Sequence, residues 1–407
     1  MRGRRVLMSL TVAIVVGGAV THLGQGASAQ VATAVPPAGE PVPVDLVICL
    51  DTSNSMDGLI ESAKQKLWAV VNDLASADPT PDLRVGLVQY GNDGLSSETG
   101  WTQMMLDLTV DLDEVNKQFF ALTTNGGTEF VARAITVARE RMSWSPAPGA
   151  LKIIFVSGNE PATQDTEITT EAACKAAIAQ DIVVNSIFCG DMAEGINTGW
   201  QDVAKLADGE YASIDQNSGT VVVATPVDGQ IVELGVALNE TYLGYGARAE
   251  AAAANQAAQD ANAAAAGAPV AAGRATAKAG ALYRNAAWDL VDASKAEDFD
   301  LTAVPEEQLP EAMQKMTPEE RVKYIQDMAA KRTEIQTKIA DLGQQRDEYI
   351  RQQVEAQGLD ESSALDHALR LAIRKQGQSK GINFVEEPPA PAPEPGGEAA
   401  EPAPPGK

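Results

Sequence analysis

The stretch VDLVICLDTSNSM, Val44–Met56, changes character halfway along. Val44 to Leu50 is rich enough in β-branched and apolar side chains for a strand buried on both faces. It runs without a spacer into Asp51, Ser53 and Ser55, oxygen-bearing side chains with nothing apolar left to pack. A core strand that ends on a cluster of oxygens places that cluster at the edge of a sheet.

Working outward, apolar runs alternate with amphipathic stretches. The spacing predicts strands over 45–50, 83–90, 104–108, 151–156, 182–188 and 211–214. Helices fit over 58–74, 112–122, 129–142, 167–179, 200–206 and 228–243. This alternation predicts an α/β fold with a doubly wound, mostly parallel six-stranded sheet. Ligands of such sheets sit beyond the carboxyl ends of the strands, near the point where strand order reverses. The oxygen cluster after the first strand falls there.

One carboxylate and two hydroxyls within a single turn suit Mg²⁺ or another hard divalent ion such as Mn²⁺ or Ca²⁺. The other reading is that Asp51 and the serines cap the first helix. The stretch TNGGTEF, Thr124–Phe130, adds a glycine-hinged loop that opens a helix and offers Thr128 as a further hydroxyl donor. In these residues the chain resembles the von Willebrand factor type A family, whose metal-ion-dependent adhesion site combines Asp-x-Ser-x-Ser, a distant Thr and a second Asp. The resemblance implies that Asp51, Ser53, Ser55 and Thr128 surround an ion, with an acidic side chain of a protein partner completing the shell. One departure stands out. The family's second Asp follows the fourth strand, where this chain has Ser157-Gly158-Asn159-Glu160, with Gly158 in the carboxylate's place. Glu160, Asn159 or Asp165 could supply the missing oxygen, and Glu160 is taken into the metal set. Otherwise Asp51 alone offsets one charge of the ion, which predicts weak metal binding that tightens with an acidic partner.

The ends of the chain bear on its destination. Arg2, Arg4 and Arg5 precede an apolar run from Val6 to about Val20, and Ala27-Ser28-Ala29 follows as a small-residue cleavage signal. Residues 1–29 read as a secretory signal peptide, so the chain is expected to be exported to a periplasm, a cell envelope or the medium, with no membrane span after cleavage. Removing them takes three arginines and no acid, moving the formal charge from −25 to −28. So acidic a surface repels phosphate backbones and excludes nucleic acid as a partner. Export permits disulfides, and helix-on-strand packing predicts a Cys174–Cys189 bridge with Cys49 as a buried free thiol.

The domain reading is a signal peptide over 1–29, a linker over 30–41 and a von Willebrand factor type A domain over 42–246. An Ala-rich helical or linker region over 247–309 follows, then a charged helical region over 310–377 and a disordered Pro/Ala/Glu-rich tail over 378–407. Thr317-Pro318-Glu319-Glu320 is a helix start with Thr cap, first-turn Pro and capping Glu. Beyond it Ile335, Ile339, Leu342 and Tyr349 make a narrow stripe interrupted by Arg332 and Arg346, as in a partly coiled-coil stalk that could self-associate. A second helix is expected over 363–376, stopped by Gly377.

Catalysis is not expected. After cleavage the chain keeps one histidine, His367, far along the helical region from any nucleophile pattern, and no phosphate loop or dinucleotide fingerprint occurs. Trp101 and Trp200 lie near strand-end loops, where a tryptophan serves either the core or a partner surface. Two functions are expected: an exported, metal-dependent protein-binding module on a helical stalk, or a metal-independent structural scaffold of the envelope.

Overall fold

The computed structural model describes residues 41–214, 222–357 and 365–384. Residues 1–29, expected as a signal peptide, nearly all of the expected linker and the expected tail from 385 onward lie outside the described residues. Strands β1 (Pro43–Asp51), β2 (Asp82–Tyr90), β3 (Thr102–Thr109), β4 (Leu151–Gly158), β5 (Ile182–Cys189) and β6 (Tyr211–Ile214) form one sheet in the order β3-β2-β1-β4-β5-β6. Among the described strands of this sheet, the β2–β3 pairing alone is antiparallel. Helices α1 (Asp57–Ala75) and α2 (Leu112–Ala121) cover one face. Helices α3 (Val131–Arg141), α4 (Thr170–Ile178) and α6 (Trp200–Leu206) cover the other, and α5 (Met192–Asn197) is a short turn after β5. Strand order reverses between β1 and β4, whose carboxyl ends bound the crevice expected from the sequence.

Side-chain alternation along β1 decides which face each residue serves. Leu46, Ile48 and Leu50 pack toward α1, whereas Val47 and Cys49 pack toward α3. Asp51 shares the parity of Cys49. The same rule removes the expected Cys174–Cys189 bridge, since all three cysteines are free thiols. Cys174 and Cys49 lie in the core between the sheet and α3/α4, while Cys189 belongs to the core on the opposite face. The sheet itself separates the two sulfurs. Burial pushes the Cys174 thiol up to about 12, so it stays protonated.

The helices that follow are α7 (Asp228–Asn239), α8 (Ala249–Ala265), α9 (Ala268–Ala279), α10 (Leu290–Ala293), α11 (Glu311–Gln314), α12 (Pro318–Gln357) and α13 (Leu365–Gln378). They do not stand off as a stalk. Helices α9 and α13 pack on α1, α8 packs on α2, and α7 packs with α9 and α12. Alanine makes this possible by letting backbones approach. A Cβ added at Gly235 of α7 would lie 2.8 Å from Cβ of Ala275 on α9. The capping box forms as expected, with Thr317 N donating to Glu320 Oε2 at 2.8 Å. The stripe Ile335, Ile339 and Leu342 is spent inside the chain, against Ile231, Leu238 and Ala272. Leu342 and Tyr349, the rest of that stripe, are only half-buried. Helix α13 runs through Gly377 to Gln378, and 379–384, expected as tail, turns back to bury Ile382 and pair Asn383 with Asp78.

Buried cations hold this layer. Arg274 pairs with Asp113 of α2 at 2.8 Å and stacks over Trp68 of α1. Arg332, which interrupts the stripe in the sequence, is itself buried and donates to Asp289 at 2.7 Å and to the Thr241 carbonyl at 2.8 Å.

Arg332→Ala should leave the fully buried Asp289 without its cation and cost about 3–5 kcal/mol in urea-unfolding stability; a loss under about 1 kcal/mol would contradict the assigned role. Alkylating the urea-unfolded chain without reductant should label all three cysteines by intact mass, and a single label would restore the bridge.

Candidate functional site

Asp51 is the last residue of β1 and is fully buried. Its Oδ1 accepts the Ser53 backbone N–H at 2.8 Å, which turns the chain out of the strand. Ser53 Oγ then lies 3.0 Å from Ser55 Oγ, and Ser55 Oγ donates to Asn159 Oδ1 at 3.1 Å across the crevice. Ser53 is buried and Ser55 exposed, so the cluster is closed at its carboxylate and open at its outer hydroxyl. Helix capping does not explain it. Neither Ser53, before the short turn 54–56, nor Met56, before α1, makes a side-chain capping bond.

The loop carrying Thr128 is fixed to this turn by backbone bonds, Asn54 N to Gly126 O and Asn125 N to Thr52 O, both 3.0 Å. Thr128 stands half-buried in it. The next residue, Glu129, stands in the sequence only as the start of a helix. It is 4% exposed, because the loop leads into α3 on the face toward which Asp51 points. Gly91 makes the room. Its φ is +77°, and an added Cβ would lie 2.6 Å from Asp51 Oδ1 and 2.8 Å from Glu129 Cγ.

Burial, and then the charge of Glu129, holds the Asp51 carboxyl well above the usual carboxylate range. Burial also raises Glu129, opposed by its contacts with Asp51 and Ser53 and reinforced by the charge of Glu160. Two carboxylates can only accept, so neither satisfies the other unless one takes up a proton. Asp51 Oδ2 and Glu129 Oε2 are both buried without a hydrogen-bond partner. Two orphaned carboxyl oxygens beside two converging hydroxyls are a donor set that fits a small hard divalent ion. No group of three or more His, Cys, Asp or Glu side chains suited to a metal occurs among the described residues. This cluster has two carboxylates and draws its other oxygens from hydroxyls.

The remaining expectations divide. Glu160 is exposed, and its backbone carbonyl accepts Trp200 Nε1 at 2.7 Å. Its carboxylate acts on the cluster through its charge on Glu129. Asp165 is engaged by Arg133 at 3.0 Å and by the Glu167 and Ile168 backbone, so it does not turn to the crevice. Trp200 is core, fully buried beside Phe188. Trp101 is half-buried, edge-on to Phe130.

Gly158 ends β4, and its carboxylate-free state is built in. A Cβ there would lie 2.6 Å from Tyr90 Oη and 3.1 Å from both Asp51 Oδ2 and Trp200 Cη2. The buried Tyr90 hydroxyl donates to the Ser157 carbonyl at 2.9 Å. Burial first, then the charges of Asp51 and Glu129, keep that phenol neutral. Restoring an Asp at 158 therefore meets a wall rather than an open socket.

Gly158→Ala should destabilise the protein by about 1–3 kcal/mol, and Tyr90→Phe should relieve part of that loss when combined with it. Additive losses in a thermal-unfolding cycle would show that Tyr90 Oη is not the obstacle.

Residues 45–207 match the model of the von Willebrand factor type A domain family. A comparison with curated proteins finds no match. Among solved structures, the von Willebrand factor type A protein from Catenulispora acidiphila is 19% identical, with 44% of this chain and 40% of that chain covered and a TM-score of 0.33. The von Willebrand domain of the type V pili tip protein Mfa5 from Porphyromonas gingivalis is 14% identical over 43% of this chain and 90% of its own, TM-score 0.34. Proximal thread matrix protein 1 from the mussel byssus, solved with a zinc-occupied MIDAS motif, is 11% identical, TM-score 0.33. That match spans 44% of this chain and 43% of the mussel protein.

Proposed function

Residues 45–207 being a von Willebrand factor type A domain, we propose that the chain is an exported, non-enzymatic protein-binding module whose binding face is organised by a divalent cation. The observation that carries this reading is the pair of buried, partnerless oxygens, Asp51 Oδ2 and Glu129 Oε2, beside Ser53 and Ser55 at the strand-order reversal. Mg²⁺ is the first candidate, with Mn²⁺ and Ca²⁺ as substitutes, because every donor is a hard oxygen. Once bound, the ion would supply an electrophilic position that an oxygen ligand of a protein partner can occupy.

Each residue has its own part in this reading. Asp51, held by the Ser53 N–H, fixes the inner wall. The Ser53 and Ser55 hydroxyls would offer their lone pairs to the cation, with Ser55 donating its proton to Asn159. Thr128 adds a hydroxyl from the facing loop, and Glu160 sets the charge of the rim. Export is supported by Arg2, Arg4 and Arg5, the apolar run and Ala27-Ser28-Ala29. No helix among the described residues is long and apolar enough to cross a membrane.

One observation favours the second reading, a metal-independent scaffold. The position of the family's second Asp is Gly158, closed over by Tyr90 and Trp200.

Calorimetric titration with Mg²⁺ and Mn²⁺ decides between the two readings. The protein should bind one ion, and Ser53→Ala should weaken that binding at least about tenfold, the scale on which ligand-shell losses act. A folded protein that takes up neither ion at millimolar concentration would leave the scaffold.

A further inference from the structure

Among the described residues, the buried acids other than Asp51 and Glu129 are each met by a cationic side chain. Asp45 pairs with Arg84, Asp113 with Arg274, Asp165 with Arg133, Asp228 with Arg346 and Asp289 with Arg332, all within 3.0 Å. Asp366 has Lys66 and Arg370 at 3.6 Å. Asp51 and Glu129 are buried to the same degree, yet no cationic side chain among the described residues pairs with either. Both keep an oxygen with no hydrogen-bond donor, as Asp113 and Asp366 also do, but those two have a cation beside them. A buried acceptor left unpaired costs about 1–3 kcal/mol, and more when it is charged. Two such groups facing each other add their repulsion.

Packing alone does not demand this arrangement. Glu129 precedes α3, where its side chain could have turned to solvent as Glu160 does. Instead Gly91 lacks a side chain where an added Cβ would strike both groups. On the other side of the crevice, the place of the family's second carboxylate is Gly158, under the Tyr90 hydroxyl.

We propose that Glu129 supplies the second carboxylate of the cation site, in place of the side chain that position 158 lacks. Asp51 and Glu129 then offset both charges of a divalent ion. This rests on the metal reading above and deepens it. The site is neutralised by the chain's own residues, so the cation is held in the absence of a partner. The partner's oxygen, arriving at the open Ser55 side, no longer has to bring the missing charge. Tight, partner-independent binding replaces the weak, partner-coupled binding that one carboxylate predicts.

The experiment is a Mn²⁺ titration of the full chain, reading free Mn²⁺ by electron paramagnetic resonance, with thermal unfolding in EDTA and in excess Mg²⁺. Glu129→Gln should bind Mn²⁺ at least about tenfold more weakly than the wild type. In EDTA the same variant should melt at a higher temperature than the wild type, because a buried unpaired charge has gone, and Mg²⁺ should raise the wild type's melting point far more than the variant's. A residue serving only the fold would give the opposite sign in EDTA. Wild-type binding retained within twofold in Glu129→Gln overturns the role of Glu129 and leaves the metal reading standing. A wild type that binds no Mn²⁺ at millimolar concentration overturns both and leaves Asp51 and Glu129 sharing a proton. Failure of Glu129→Gln to fold in EDTA also overturns the proposal, since a group kept for a cation is not needed without one.

Discussion

Burial of β1 on both edges and both faces is the constraint from which the crevice follows. The strand pairs with β2 and β4, and its two side-chain sets feed two separate cores. Parity then assigns Asp51 to the α3 side while leaving it inside the protein. Each later feature answers that placement. Gly91 gives the carboxylate room, Ser53 donates its backbone N–H, Tyr90 closes the neighbouring strand end, and the loop before α3 brings Glu129 to the same spot. Moving Asp51 by one residue would put it among the leucines and isoleucines facing α1.

The helical layer uses charge differently. There arginines and a lysine enter apolar surroundings already paired: Arg274 with Asp113 and Asp260, Lys278 with Asp260, Arg332 with Asp289 and Asp292. Such networks bring little net stability over apolar packing, but they penalise any register in which a partner is missing. That selectivity matters where the packing residues are alanines. Alanine faces are smooth, bury little area per residue and would tolerate sliding. The layer is thus positioned by a few polar anchors, including Asn72 to the Gly273 carbonyl and Tyr283 to Asp113.

Much of this was legible in the sequence. Strands showed as apolar runs because a parallel sheet covered on both faces needs them, and the predicted strand and helix centres coincide with the observed ones. The Thr317 capping box was legible because it is local. What was not legible depended on distant partners. Arg332 reads as a break in a stripe until Asp289 is seen beside it, and the alanine run reads as a spacer until Gly235 meets Ala275. The cysteines were legible in principle. Ile187, Phe188 and Cys189 alternate faces, and applying that alternation to Cys189 would have placed it away from Cys174. Glu129 carried a similar signal. The parity of β1 directs Asp51 to the α3 face, and Glu129 is the acid at the entrance to α3.

Absent ligands are a matter of charge in space. A missing family residue is first read as lost charge, and lost charge as lost affinity. Charge at a cation site is summed over space, however, and a carboxylate arriving from the opposite loop counts as much as one at the expected strand end. The chain's own pattern supports counting this way. It provides an arginine for Asp165 and leaves Glu160 in solvent, so the acids nearest the crevice are already committed or hydrated. Asp51 and Glu129 are the two it has neither hydrated nor paired. Glu160 at the rim adds to the burial that pushes Glu129 toward its neutral form, so the crevice disfavours further negative charge. On the proposed metal reading, an incoming anionic partner would meet two unpaired acids unless a cation came first, which would order the two events: the ion before the protein.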